Sequence, residues 1–113
     1  MSYLRQYARL PDSIGRGGRA ARLDETTRLN LPQFDGGADV HCFVEDTSAA
    51  RRRRDARVRL SITDCCNEIN LEFFLGSAEG RENSLYKANT LIAALHRFRD
   101  ALEAEAELAA RGD

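Results

Sequence analysis

The sequence predicts an α+β protein, in which an antiparallel sheet of three to four strands is backed by one long C-terminal amphipathic helix. Two observations predict this fold class. Apolar and polar residues alternate in short segments between residues 39 and 75, as they do in strands with one buried face. Residues 82–108 contain no Gly or Pro and carry apolar residues every three or four positions, as an amphipathic helix does. We therefore expect the apolar side of the helix to pack on the apolar face of a β-meander.

We expect the first 37 residues to form a loop-rich arm, which precedes a single α+β domain over residues 38–113. Gly15, Gly17 and Gly18 break the arm, because Gly clusters favour turns and loops. Residues 27–31 alternate as a short strand would, and Pro32 ends the alternation. This segment is the candidate fourth strand of the meander.

Three further strands are predicted at about 39–46, 57–63 and 69–75, joined by an exposed loop and by a turn at 63–68. Their alternation directs one apolar set toward the helix, and this set comprises Val40, Cys42, Val44, Val58, Leu60, Ile62, Ile69, Leu71, Phe73 and Leu75. The same alternation directs Phe43 and Phe74 to the outer face. Exposed aromatic residues on a sheet often mark an interaction surface, so we take both as candidate interface residues.

The predicted helix is longer than the predicted sheet. A helix over 82–108 spans about 40 Å at 1.5 Å per residue, whereas strands of about six residues span roughly 20 Å. Its apolar stripe from Phe98 onward, including Leu102, therefore extends past the strands. Either the last turns fray or this part of the stripe contacts a second copy of the chain.

The composition is typical of a globular protein, with 42% hydrophobic and 31% charged residues in 113. No apolar run reaches the ~18–20 residues that span a bilayer, and the first residues lack the continuous apolar region of a signal peptide. Three cysteines, an odd number, do not form a disulfide framework. We therefore expect a cytoplasmic protein with reduced thiols and no membrane partner.

The charges are distributed unevenly along the chain. Residues 1–60 carry 12 basic residues against 8 acidic ones, a net +4, while residues 61–113 carry 5 against 10, a net −5. This asymmetry can steer an anionic partner or favour charge pairing between copies. Lys87 is the one lysine among 17 basic residues. Since arginine codons are GC-rich, this bias indicates a GC-rich genome as readily as a function.

The sequence gives little support to catalysis. Its two histidines, His41 and His96, lie in no nucleophile, metalloprotease or phosphate-binding motif. We expect no cofactor and no metal; the weak metal candidates are His41, Cys65 and Cys66. Against a shared ion, adjacent strand residues such as His41 and Cys42 point to opposite faces. The favoured interpretation places Cys42 among apolar residues and Cys65 with Cys66 in an exposed turn.

Arginines provide the best signal for nucleic-acid or anion binding. Four consecutive arginines could bind phosphates, and a second pair lies in the glycine-rich arm; these candidates are Arg51, Arg52, Arg53, Arg54, Arg16 and Arg19. No aromatic residue interleaves with them, and the isoelectric point is near 6.1. A solvated loop is the favoured interpretation of Arg51–Arg54.

Together these patterns predict a small, non-catalytic protein-binding or assembly module. We expect a homodimer, and an accessory protein of a GC-rich bacterium or phage that binds a host protein. A nucleic-acid-binding protein that uses the arginine-rich loop is the first alternative. A protein that binds a small anionic ligand or a metal is the second.

Overall fold

A computed structural model describes residues 21–34, 36–48 and 56–113 and confirms the α+β fold class. A four-stranded antiparallel sheet is followed by one long C-terminal helix. The elements are β1 (Ala21–Arg28), β2 (Ala38–Glu45), β3 (Val58–Asp64), β4 (Asn67–Glu72) and α1 (Ala78–Arg111). The chain divides into two units between Arg81 and Glu82, so the packing of the helix on the sheet stays a prediction.

The sheet is a meander with the strand order β1-β2-β3-β4. Its register aligns Val40 with Ile62 and Cys42 with Leu60 on one face, and Leu60 with Leu71. These residues belong to the predicted apolar set, because side chains alternate between the faces of a strand. The alternation therefore separates an apolar face from a polar face, as the sequence predicts.

The first strand begins earlier than the sequence pattern indicates. The candidate strand was 27–31, but β1 runs from Ala21 to Arg28 inside the predicted arm. It pairs with β2 and is a polar edge strand with a register shift between Ala21 and Leu23. Its run of Arg, Asp, Glu and Thr lacks the apolar alternation by which a strand is recognised in a sequence. An edge strand can form without that alternation, because backbone hydrogen bonds to a single neighbour stabilise it. The division into an arm of 1–37 and a domain of 38–113 stays a prediction.

The connection between β3 and β4 is tighter than predicted. The sequence indicated a six-residue turn at 63–68, but the ladder continues to the pair Asp64–Asn67 and leaves Cys65 and Cys66 alone in the turn. Cys65 has φ of 59°, a left-handed conformation that Gly and Asn adopt more readily. The last strand consequently covers Asn67–Glu72 rather than 69–75.

The helix starts at Ala78, four residues before the predicted start at 82, and reaches Arg111. Ser77 caps it, because the Ser77 Oγ accepts a hydrogen bond of 2.9 Å from the Gly80 amide. The Arg81 amide donates to the Ser77 carbonyl at 2.9 Å. At 34 residues the helix is about 51 Å long at 1.5 Å per residue. Because α1 continues without a break to Arg111, its last turns are not frayed.

Gly80 in the first turn of α1 has no room for a side chain. A Cβ at this position would lie 2.7 Å from Phe74 Cδ2 and 3.1 Å from the Phe74 carbonyl oxygen. We expect Gly80→Ala to lower the free energy of unfolding by about 1 kcal/mol, since overpacking costs more than the helix propensity of Ala returns. Urea denaturation measures this change. Asn83→Ala, at an exposed position, serves as the control and should be neutral or slightly stabilising; equal stabilisation by both variants would contradict the expectation.

Few described side chains are fully buried in the single chain. Among residues 21–34, 36–48 and 56–113, the buried hydrophobic residues are Ala38 and Ala56, and the buried polar residues are Glu45, Ser61 and Ser84. Thirteen large hydrophobic side chains are exposed instead. Because monomeric proteins rarely leave large contiguous apolar surfaces in water, these exposed side chains are candidates for contact with a partner.

Candidate functional site

The C-terminal half of α1 is the candidate interaction surface. Ser84 is buried and Leu91 is partly buried, but every residue from Leu95 to Asp113 is exposed. Within this stretch Leu95 is 53%, Phe98 65% and Leu102 56% exposed. We call these three residues the exposed stripe.

The exposed stripe occupies one side of the helix. Residues three and four positions apart are neighbours on a helix surface, and Leu95, Phe98 and Leu102 have this spacing. Ala93 and Ala104 lie on the opposite side, at about 100° per residue. The sequence predicted Phe98 and Leu102 as interface residues, and the structure places both in this exposed set. Their role in an interface is an inference from this exposure.

The two predicted aromatic residues of the outer sheet face occupy different positions. Phe43 lies on β2 and is partly buried rather than exposed, with its ring centroid 6.4 Å from that of His41. Phe74 is 58% exposed, but it follows the end of β4 and lies beside Gly80. The structure therefore does not bring Phe43 and Phe74 together on one strand surface.

The polar face of the sheet carries three cross-strand side-chain pairs. His41 Nε2 lies 2.7 Å from Asp24 Oδ1, and the Ser61 hydroxyl donates to Asn70 Oδ1 at 2.5 Å. The third pair joins Arg59 Nε and Glu72 Oε2 at 2.6 Å. An amide oxygen cannot serve as a general base, so the Ser61 hydrogen bond does not activate a nucleophile. Each of these three pairs links two neighbouring strands of the sheet.

Sequence reasoning missed two residues of this face. Asp24 was placed in the loop-rich arm, and its partnership with His41 follows from the pairing of β1 with β2. Glu45 shares the face of β2 that carries Phe43, which the alternation predicted to be the outer face, yet it is only 1% exposed. Its Oε1 accepts a 2.8 Å hydrogen bond from the Arg57 amide, while its own amide donates to the Arg57 carbonyl at 2.8 Å. Glu45 thus closes the end of the β2–β3 ladder beside Arg57.

The structure separates the cysteines into two environments. Cys42 is partly buried, and burial, followed by the nearby Glu25 carboxylate, raises the pKa of its thiol. Cys65 and Cys66 are exposed in the β3–β4 turn, with their Sγ atoms 3.8 Å apart. His41, opposite Ser61, does not join them. Within the described residues no group of three or more His, Cys, Asp or Glu side chains is placed to hold a metal ion.

The arginine candidates lie outside the described residues. This applies to Arg51–Arg54 in the loop and to Arg16 and Arg19 in the arm. Near that loop, the Ser48 hydroxyl and amide donate to Asp46 and lower the pKa of its carboxyl group. Nucleic-acid or anion binding by these arginines stays a prediction.

No helix in the described part of the chain combines the length and the apolar character that a membrane span requires. Comparison with protein-family models, with curated proteins and with solved structures finds no match to this chain. Its function is therefore inferred from its own side chains.

Proposed function

We propose that the chain is a non-catalytic protein-binding or assembly module that forms a homodimer through α1. The observation that carries the proposal is the exposed stripe of Leu95, Phe98 and Leu102 on a helix that is continuous to Arg111. Full burial of such a side chain contributes about 1.5–3 kcal/mol. In a symmetric pair of helices each stripe position is buried in both copies, since both copies present the same surface.

The charges of α1 favour a second copy as the partner. Residues 78–99 contain four basic and two acidic residues, whereas residues 100–111 contain four acidic residues and one basic residue. A parallel pair would align the acidic ends of two copies. An antiparallel pair aligns each acidic end with a basic half, and opposite charges across an interface favour the correct partner and orientation.

Oligomeric state in solution tests this proposal. We expect multi-angle light scattering or sedimentation equilibrium of the full chain to give twice the mass of 12.6 kDa at micromolar and higher concentrations. Dilution should shift the mass toward one chain, because dimerisation follows mass action. A mass of one chain at every concentration, up to the limit of solubility, would refute the homodimer.

The proposed setting is the cytoplasm. There the chain would serve as an accessory protein of a bacterium or phage with a GC-rich genome, and it would bind a host protein. The described cysteines are all free thiols, as proteins of reducing compartments usually have. The excess of arginine over the single lysine Lys87 supports the genomic part of this proposal.

A further inference from the structure

The two-residue turn between β3 and β4 brings two thiols together at the surface. Cys65 and Cys66 are both exposed, and their Sγ atoms lie 3.8 Å apart. The turn is fixed at both ends, by the Asp64–Asn67 pair of the ladder and by the Cys65 amide, which donates to the Gly37 carbonyl at 2.6 Å. The backbone that carries the two thiols is therefore fixed on both sides of the turn.

Turn formation alone does not explain a cysteine at position 65. Its φ of 59° lies in the left-handed region, where a side chain with a Cβ is disfavoured and where Gly or Asn forms a hairpin turn at lower cost. Backbone positions of this kind are concentrated at functional sites. The residue that occupies the position is also one of the softest metal ligands available to a protein.

The distance between the two sulfur atoms matches that of two ligands on one tetrahedral ion. Zinc–thiolate bonds are about 2.3 Å long, and the tetrahedral angle then places two sulfur ligands about 3.8 Å apart. The Cys65–Cys66 pair has this separation without rearrangement of the turn.

Within the sheet, Cys42 and His41 do not join the two thiols of the turn. The chain has three cysteines and two histidines. Cys42 and His41 lie on β2 opposite Leu60 and Ser61, four and three residues along the ladder from the Ala38–Asp64 pair beside the turn. The described residues contain no group of three or more metal-binding side chains. The pair could supply two of the four ligands of a tetrahedral ion.

We propose that Cys65 and Cys66 form a two-thiolate half-site for a thiophilic divalent metal ion of the zinc class. Binding converts both thiols to thiolates, releases two protons to solvent and involves no change of oxidation state. Two further positions on the ion are completed by solvent or by the same pair of a second chain.

Calorimetric titration of the full, metal-free chain with Zn²⁺, in a reductant that contains no thiol, tests the half-site. We expect saturable binding at one ion per chain if solvent completes the shell, and at one ion per two chains if a second pair does. Titrations in buffers of different ionisation enthalpy should reveal the two released protons. Absence of saturable binding would overturn the proposal.

Two variants and a matched control identify the ligands. Cys65→Gly removes one thiol and suits the positive φ, so the hairpin should be retained, as circular dichroism can verify. We expect Cys65→Gly and Cys66→Ser each to weaken zinc binding about tenfold or more. Cys42→Ser removes the partly buried thiol and should leave the affinity unchanged. Unchanged binding in Cys65→Gly, or an equal loss in Cys42→Ser, would show that the turn is not the site.

Discussion

Leu95→Glu is expected to convert the homodimer into a monomer. The substitution removes one 53% exposed leucine from the N-terminal end of the exposed stripe, and it does so in both copies. Loss of two buried leucines costs about 3–6 kcal/mol of association free energy, which raises the Kd roughly 10²–10⁴-fold. Sedimentation equilibrium should detect this change directly. Leu and Glu have similar helix propensities, so α1 itself should persist.

Ala104→Glu is the matched control for this prediction. It introduces the same charge at an exposed position of α1, on the side opposite the exposed stripe. We expect it to retain the dimer mass and the helical circular dichroism signal. If both variants dissociated equally, net charge rather than the stripe would control assembly. If neither dissociated, the dimer would have to use another surface.

Glu45→Ala is expected to produce the largest loss of stability among single substitutions in the sheet. The carboxylate is 1% exposed, and its Oε1 accepts the hydrogen bond of the Arg57 amide at 2.8 Å. Removal of a buried acceptor leaves that amide unsatisfied, and hydrogen bonds to charged groups contribute more than neutral ones. We expect the free energy of unfolding to fall by about 2–3 kcal/mol. Urea denaturation at one fixed protein concentration measures it, since dimer stability depends on concentration.

Two variants separate this effect from simple loss of charge. Glu45→Gln keeps an oxygen acceptor for the Arg57 amide and should lose less stability than Glu45→Ala. Glu72→Ala breaks the 2.6 Å pair with Arg59, but Glu72 and Arg59 are 60% and 41% exposed. Exposed ion pairs contribute only up to about 1 kcal/mol. A loss for Glu72→Ala as large as that for Glu45→Ala would show that burial does not determine the difference.

The apolar parts of the fold were accessible from sequence because their patterns are periodic. β2 and β3 lie within one residue of the predicted strands, and their apolar face follows the alternation of residues such as Val40, Leu60 and Ile62. The α1 helix differs mainly at its ends, because it starts at Ala78 behind the Ser77 cap rather than at residue 82. The spacing likewise predicted that Phe98 and Leu102 extend past the strands, but it did not predict the exposure of Leu95.

The polar parts of the fold were less accessible, because hydrogen bonds between distant residues leave no local pattern. The strand β1 is specified by its pairing with β2, so Asp24 could not be matched with His41 in advance. The two-residue turn was missed because Cys65 occupies a conformation that normally signals Gly or Asn. The burial of Glu45 depends on the geometry at the base of a loop.

The order of the strands has a consequence for aggregation. Among the strands of the described residues, β1 and β4 lie at the two edges of the sheet, and edge strands can recruit further strands from other copies. Antiparallel pairing of β4 with its copy, symmetric about Asn70, would set Glu68 of each chain against Glu72 of the other. Like charges directly opposite each other destabilise such a pair. The acidic edge of β4 thus discourages growth of the sheet into a fibril through this pairing.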